Sequence, residues 1–312
     1  MTFDEFLTEW KNDKDFISVK TSGSTGEPKE MKLQKEFVRE SALRTNKFFK
    51  LDCWCRFHSC VAADFIGGKM MAVRADIAGA RFTYETPSNN ALKDIDAKDC
   101  IHLLAVVPSQ MISILERIDR LPEIRNIIIG GSSISPGLKR KIAESGLNAY
   151  ETYGMTETAS HIALRQITKE DAPFQLLPDI QIYLAEDSCL CIKFKDGREI
   201  FTNDMAELVS ESEFYIKGRK DNVIISGGKK IHPSELENKL CDVIDSAFYF
   251  KSEPDEKWGE KLVLMIEGNP ADIDTDNLRL RLSTLLLRWE HPKEIIFVPQ
   301  FERTPNGKII RK

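Results

Sequence analysis

Residues 16–33, "FISVKTSGSTGEPKEMKL", decide how the chain is read. "FISVKT" reads as a strand and "KEMKL" as a second short strand. Between them lies "TSGSTGEPK", Thr21 to Lys29, with four small hydroxyl residues, two glycines, a proline and a lysine. Gly23 and Gly26 permit backbone torsions that turn several N–H groups to one side. Thr21, Ser22, Ser24 and Thr25 add hydroxyl donors, and Lys29 adds a cation, so the loop is equipped to hold a polyphosphate. It is not a Walker loop, which needs G-x-x-x-x-G-K-[ST] and a helix directly after it. Taken alone, a Gly/Ser/Thr loop is more often a plain turn, so the rest of the chain has to decide.

Outward from this stretch, strand-like and helix-like runs alternate through the first 150 residues. "QKEFVRESALRTNKFF" has helical spacing, with Val38, Ala42, Thr45 and Phe49 on one face. "GGKMMAVRADIAGA" is a glycine-led helix, "CIHLLAVV" a buried strand, and "PSQMISILERI" a helix opened by proline. "RNIIIGG" is a strand, and "SPGLKRKIAESG" a helix with Pro136 in its first turn and Gly146 at its stop. "LNAYETYG" is a further strand. This order predicts an α/β fold with a mostly parallel, covered sheet. After about residue 180, short strands ("DIQIYL", "CLCIKF", "AELVS", "EFYIKG") predict a small antiparallel lobe. From Gly218 onward an α+β pattern follows, with "NVIISGGKKI" as a strand pair broken at Gly-Gly. The boundary is placed at "KGRKDN", giving a large domain over 1–218 and a small one over 219–312.

The chain has 312 residues and a net charge of −5, with 42% apolar and 30% charged residues. Acids outnumber bases, which argues against a nucleic-acid footprint. No apolar run approaches membrane-spanning length, and the acidic start "MTFDEFLTEWKND" is unlike a signal peptide. The seven cysteines fall at irregular spacings; Cys53/Cys55 and Cys189/Cys191 are i,i+2 pairs that miss the C-x-x-C spacing. Buried free thiols in a reducing cytoplasm are expected.

Three further segments carry chemistry. In "YETYGMTETASHIALR", residues 150–165, an aromatic ring (Tyr153), a close-approach glycine (Gly154), a hydroxyl (Thr156) and a carboxylate (Glu157) fall within five residues. The ring can flank a base, and the carboxylate can hold Mg²⁺. In "FTNDMAELVSESEFYIKGRKDNVIISGGKK", Asp204 sits in a polar turn suited to two sugar hydroxyls, Arg219 is a second anchor, and Asp221 lies where a hinge would. In "RTPNGKIIRK", a Pro-Asn-Gly turn presents Lys308. Each has a blander reading as a turn, a cap or a solvated charge.

Together these segments resemble the adenylate-forming superfamily of acyl- and aryl-CoA synthetases, luciferases and peptide-synthetase adenylation domains. The motifs "TSGSTGEPK", "YGMTE", "GRKD…SGG" and "PNGK" occur in the family's order, from Thr21 to Lys312. The resemblance implies that Thr21–Lys29 wraps the phosphates of ATP. Tyr153 and Gly154 would bind adenine, Thr156 the phosphates, Glu157 the Mg²⁺, and Asp204 and Arg219 the ribose. Lys308 would bridge the substrate carboxylate and the α-phosphate. "GGSS", with Gly131 and Ser132, would line the acyl pocket and the adenine edge. Asp221 would be the hinge of a mobile C-terminal domain that presents Gly227 and Gly228 for thioester formation with CoA. The sequence departs from the family in two places: the segment ahead of the phosphate loop is far shorter than usual, and Ile225 stands where relatives often carry lysine.

"DFIGGKMMAVRA" and "YGMTETASHIALR" look most like o-succinylbenzoate–CoA ligases of menaquinone synthesis, compact ones especially. That acid has a second carboxylate, which a buried pocket must meet with cations or donors. Lys69, at the start of a glycine-led helix, and His161 and Arg165 are the candidates. If their segment is a strand, residues 161, 163 and 165 share a face. His58, in "CRFHSC", tempts as a general base, but the attacking acid is already ionised near neutral pH, so core or pocket-edge packing is expected of it. The expected partners are a small carboxylic acid and CoA, without nucleic acid or membrane insertion; a homo-oligomer is left open. Two other readings also stay open. One is another aryl- or acyl-CoA ligase, or a carrier-protein-loading enzyme. The other is a non-catalytic nucleotide-binding remnant, against which Lys29, Glu157, Asp204, Arg219 and Lys308 are all present.

Overall fold

The computed structural model describes residues 1–20, 30–93, 95–96, 98–303 and 309–311. These fall into two compact units. One comprises Met1–Ile134, Leu138–Gln181 and Lys193–Ile200; the other comprises Ser135–Gly137, Ile182–Ile192 and the residues from Phe201 onward.

The chain opens with α1 (Phe3–Lys11), started by a capping box. The Glu5 amide donates to Thr2 Oγ1 at 3.2 Å, and the Thr2 amide donates to Glu5 Oε2 at 2.8 Å. Strands β1 (Phe16–Lys20) and β2 (Glu30–Gln34) pair antiparallel, with Lys20 opposite Glu30. The two expected strands are therefore present, and residues 21–29 lie outside the described residues. Helix α2 (Lys35–Phe49) buries Val38, Ala42 and Thr45 as its spacing predicts. Next come β3 (Arg56–Ser59), α3 (Ile66–Ala78), β4 (Arg81–Tyr84), β5 (Cys100–Ile101) and β6 (Leu103–Val106). They are followed by α4 (Pro108–Glu116), β7 (Glu123–Ile124), β8 (Ile127–Ile129), α5 (Pro136–Ser145) and β9 (Ala149–Met155). Strands β10 (Ser160–Gln166) and β11 (Phe174–Leu176) complete the first unit's sheet.

Its strand order is β11-β10-β9-β8-β6-β3-β4. From β9 to β4 every neighbour is parallel; β10 and β11 add antiparallel strands. The central parallel strands β6 and β8 are buried on both faces, which is why Ile127–Ile129 reads as a continuous apolar run. On one face Leu104, Val106, Ile127 and Ile129 pack with Met111 and Ile114 of α4 and Ile142 of α5. The other face carries α2 and α3. The βαβ crossovers leave the carboxyl ends of the parallel strands at one edge, where open α/β sheets assemble their sites.

The second unit holds most of β12 (Ile180–Leu184), β13 (Cys189–Phe194) and β14 (Glu199–Leu208), and all of β15 (Glu213–Arg219), in that order. Asp204, expected in a polar turn, lies inside β14, paired with Arg219. Asn203 and Asp204 favour turns locally, but the ladder with β15 overrides that preference. Next come β16 (Ile224–Ser226), β17 (Lys229–Ile231), α6 (Pro233–Leu240), β18 (Phe248–Asp255), β19 (Gly259–Glu267), α7 (Thr275–Leu285) and β20 (Glu294–Val298). Strands β17-β16-β19-β18 form a sheet to which β20 adds in parallel alongside β19. Its core joins Leu262, Leu264 and Ile266 with Leu236, Leu240, Leu278 and Leu282. Gly227 and Gly228, at φ 56° and 76°, form the two-residue hairpin turn for which only glycine has free access to such torsions. All seven cysteines are free thiols, and among the described residues no helix is long and apolar enough to cross a membrane.

Candidate active site

Strands β9 and β10 organise the first unit's candidate residues. Arg165 opposes Glu151, Ala163 opposes Tyr153, and His161 opposes Gly154, with a register shift between His161 and Ala163. Cross-strand partners share a face. Tyr153 and Gly154 are consecutive, so Ala163 and His161 point to opposite faces. The expectation that 161, 163 and 165 share a face is thus corrected. Ile162 is an extra residue, a bulge that alternation counted from the sequence does not reveal.

On the face toward α2 and α3, His161 is buried. Its Nε2 lies 2.9 Å from Thr45 Oγ1, and its Nδ1 lies 3.4 Å from Arg74 Nη2. A guanidinium can only donate, so Nδ1 carries the lone pair and Nε2–H donates to Thr45. Burial, with the Arg74 charge beside it, holds His161 well below the ordinary histidine pKa, and the ring is neutral. Arg74 itself is 0% exposed. Its described partners are Ser160 Oγ at 3.2 Å, Met71 Sδ at 3.9 Å and His161, and its Nε has no acceptor. No carboxylate among the described residues pairs with it, and burial lowers its pKa to about 9. Sequence reading missed Arg74. The available signal was a second cation, five residues after Lys69 and directly behind the apolar run "MMAV", in a segment already singled out.

The opposite face is a network of ion pairs. Glu151 Oε2 accepts from Arg165 Nε at 3.0 Å and pairs with Lys139 Nζ at 2.8 Å. The Arg165 guanidinium lies 4.4 Å from the Phe174 ring centroid, and that ring is 5.8 Å from the ring of Tyr153. Burial alone would raise the Glu151 carboxyl; Lys139 and Arg165 outweigh it and hold Glu151 below its ordinary value.

The carboxyl edge of the sheet gathers the remaining residues of this unit. Gly131 (φ 89°) and Ser132 follow β8, while Tyr153 and Gly154 end the neighbouring β9. A Cβ on Gly154 would stand 2.3 Å from the Ser160 carbonyl oxygen and 2.5 Å from His161 Cα, so the strands approach as only glycine permits. Thr156 and Glu157 sit in a 3₁₀ turn over Thr156–Thr158, with Thr156 buried and Glu157 exposed. The turn leaves through Ala159 and Ser160, both at positive φ (51° and 86°), and Ser41 Oγ holds the Ala159 carbonyl at 2.8 Å. Such torsions cost on the order of 1–3 kcal/mol each and persist where surrounding contacts enforce them, commonly at functional sites. Among the described residues nothing engages the Glu157 carboxylate, which leaves an oxygen donor suited to a hard cation.

Lys69 lies in α3 and is buried. It donates to the Ser18 carbonyl at 2.6 Å and lies 5.0 Å from the Phe6 ring centroid, and burial lowers its pKa. In the second unit, Arg219 binds Asp221 through two bonds of 2.8 and 2.6 Å, and its Nη1 lies 3.7 Å from Asp204 Oδ1. These three expected residues are thus brought together. Gly227 and Gly228 form the β16–β17 turn, beside exposed Ile225. Thr21, Ser22, Gly23, Ser24, Thr25, Gly26, Lys29 and Lys308 lie outside the described residues.

Comparison with known proteins places this geometry in context. Residues 16–193 match the profile of the family described as AMP-binding enzyme. A 2-succinylbenzoate–CoA ligase of Lactococcus lactis subsp. lactis (strain IL1403) is 28% identical over 246 residues, 72% of this chain and 53% of that protein. The chain therefore spans about half the length of that relative. An acyl-CoA synthetase (AMP-forming)/AMP-acid ligase II-like protein from Dyadobacter fermentans DSM 18053 is 33% identical, with a TM-score of 0.64, covering 98% of this chain and 90% of that one. The o-succinylbenzoate CoA synthetase of Bacillus subtilis, in complex with its acyl-adenylate intermediate, shares the fold. Its TM-score is 0.83 at 22% identity, over 94% of this chain and 67% of that one.

Proposed function

The chain belongs to the AMP-binding enzyme family, and from that premise we propose that it is an AMP-forming acid–thiol ligase acting on o-succinylbenzoate. ATP, Mg²⁺ and CoA are the reactants and cofactor this reading requires. The carboxylate of the acid attacks the α-phosphate of ATP, pyrophosphate leaves, and a thiol then displaces AMP from the acyl-adenylate. Two anions must meet in the first step, so the site needs positive charge where negative charge develops. Lys308 is assigned that role. Glu157, with its exposed carboxylate, would hold Mg²⁺, which would supply further positive charge toward the phosphate oxygens.

Thr21, Ser22, Gly23, Ser24, Thr25, Gly26 and Lys29 are assigned to the phosphates, together with Thr156. Tyr153, Gly154 and Gly131 are assigned to adenine, Ser132 to the acyl pocket, and Asp204 with Arg219 to the ribose. Asp221 is the pivot between 1–218 and 219–312 and presents the Gly227–Gly228 turn for the thiol step.

The observation that supports the choice of acid is Arg74, a buried guanidinium without a carboxylate partner among the described residues. A buried cation without a counter-ion is costly unless a ligand supplies the anion. The second carboxylate of o-succinylbenzoate is such an anion, with neutral His161 beside it. Lys69 and Arg165 already hold Ser18 and Glu151, and Arg165 lies on the face of β10 opposite His161 and Arg74, so in this reading neither meets the second carboxylate.

Pyrophosphate release from ATP, Mg²⁺ and CoA across o-succinylbenzoate, benzoate, a medium-chain fatty acid and acetate tests the proposal. Selective turnover of o-succinylbenzoate supports it. Turnover of another acid keeps the ligase and discards the substrate. ATP binding without turnover of any acid favours a non-catalytic nucleotide-binding protein. Lys308→Ala should lose acyl-adenylate formation while retaining ATP binding; unchanged pyrophosphate release would remove Lys308 from its role.

A further inference from the structure

A second polar cluster, which the proposed ligase chemistry does not use, lies at the carboxyl ends of β3 and β4. His58 is on β3, Cys60 directly follows that strand, and Glu85 directly follows β4. One ligand atom from each of the three lies within 4.8 Å of the others. His58 is 1% exposed and Cys60 0%.

The hydrogen bonds fix the histidine tautomer. Thr83 Oγ1 donates to the Phe57 carbonyl at 3.2 Å, so toward His58 Nδ1, 2.9 Å away, it accepts. Nδ1 therefore carries a proton, and Nε2 lies 3.8 Å from Glu85 Oε2, beyond hydrogen-bond distance. Nε2 is fully buried and has no hydrogen-bond partner among the described residues. Both Glu85 oxygens already accept from the Leu92 amide, at 3.0 and 3.1 Å. In the neutral ring Nε2 is an acceptor, so it and Glu85 then face each other in the protein interior with a thiol beside them, an arrangement that a cation between them resolves.

We propose that His58 Nε2, Cys60 Sγ and Glu85 form a binding site for one divalent cation of the zinc class. Imidazole, thiolate and carboxylate are the donors such borderline-soft cations take, at about 2.0–2.3 Å, and small side-chain rotations bring these three into that shell. Thr83 holds the histidine as second-sphere partners of metal-binding histidines do, and the Leu92 amide steadies the carboxylate. Burial, with Glu85 alongside, pushes the Cys60 thiol up, so without a cation it keeps its proton. Binding would release that proton. The bound cation would tie the segment after β3 to the segment after β4.

The test is a titration of Co²⁺ into chelator-treated full-length protein, read by the thiolate-to-cobalt charge-transfer band. One equivalent should develop the band. Cys60→Ser should abolish it, while Cys53→Ser and Cys241→Ser, at thiols with solvent access, should keep it. Thr83→Val should weaken cobalt binding about 10–100-fold with an unchanged circular dichroism spectrum. If Cys60→Ser does not fold, His58→Gln replaces it: loss of tight binding supports the site, and wild-type affinity overturns it. No band in the wild-type protein, or a band that survives Cys60→Ser, also overturns it.

Discussion

Arg74 Nη2 lies 3.4 Å from His161 Nδ1, and this contact fixes which histidine nitrogen carries the proton. The guanidinium forces the lone pair onto Nδ1 and, with burial, keeps the ring neutral. The result is one buried positive charge joined through His161 to Thr45 and the body of α2.

Arg74→Met removes that charge and keeps an apolar side chain among Met70, Met71 and Val73. Equilibrium unfolding should show unchanged or increased stability, by about 1–4 kcal/mol, because the desolvation cost disappears. If the proposed acid is the substrate, turnover of o-succinylbenzoate should fall at least about a hundredfold, the loss of one charge-assisted pair left unmade. A variant that loses stability and keeps turnover would show that Arg74 is a structural group.

The acid dependence of stability separates two buried groups by pH window, since both lose stability as pH falls. His161 has a folded pKa well below the ordinary histidine value of about 6.5, so below about pH 6.5 the unfolded chain takes up a proton that the folded chain refuses. Stability present above that pH is lost as pH falls. Glu151 is also depressed below the ordinary carboxylate value of about 4.5. Its contribution is present above about pH 4.5 and is lost as pH falls further, through its folded pKa. Urea unfolding from pH 7 to 3 should show both phases. Glu151→Gln should shrink the lower one, to which Glu85 and Glu267 also contribute, and cost about 3–5 kcal/mol at pH 7, since Lys139 and Arg165 then face each other without their shared acid.

Gly154→Ala should destabilise the first unit by roughly 1–3 kcal/mol. The added Cβ meets the backbone of Ser160 and His161, which cannot rotate away as a side chain could. Thermal unfolding checks the loss. An ordinary midpoint in the variant would mean that the β9–β10 approach is looser than described.

Local chemistry made much of this fold legible. The β1–β2 pair, the buried face of α2 and the Gly227–Gly228 turn each follow from spacing or torsional need within a few residues. Four features were not legible, because distant partners create them. The bulge at Ile162 reverses the face of His161 through its pairing with β9. Asp204 is drawn into β14 by its ladder with Arg219. Arg74 and the His58–Cys60–Glu85 cluster become notable only once packing buries them, which no sequence spacing announces.

Gly218 and Ser234 form a coupled pair in the second unit. Lys217 is the extra residue where β15 shifts register against β14, and Ser234 Oγ donates to its carbonyl at 2.7 Å. That hydroxyl sits where a Gly218 Cβ would stand, 2.4 Å away, and Gly218 holds φ 144°. Ser234→Ala should cost about 1 kcal/mol, from the lost hydrogen bond. Gly218→Ala should cost about 2–4 kcal/mol, combining steric overlap with a torsion that L-residues rarely adopt. In the double variant the overlap is gone while the torsional strain remains. Its cost should therefore fall below the sum of the single costs by about 1 kcal/mol or more, measured by urea unfolding as a double-mutant cycle. Strict additivity would mean that the two side-chain positions do not compete for the same space.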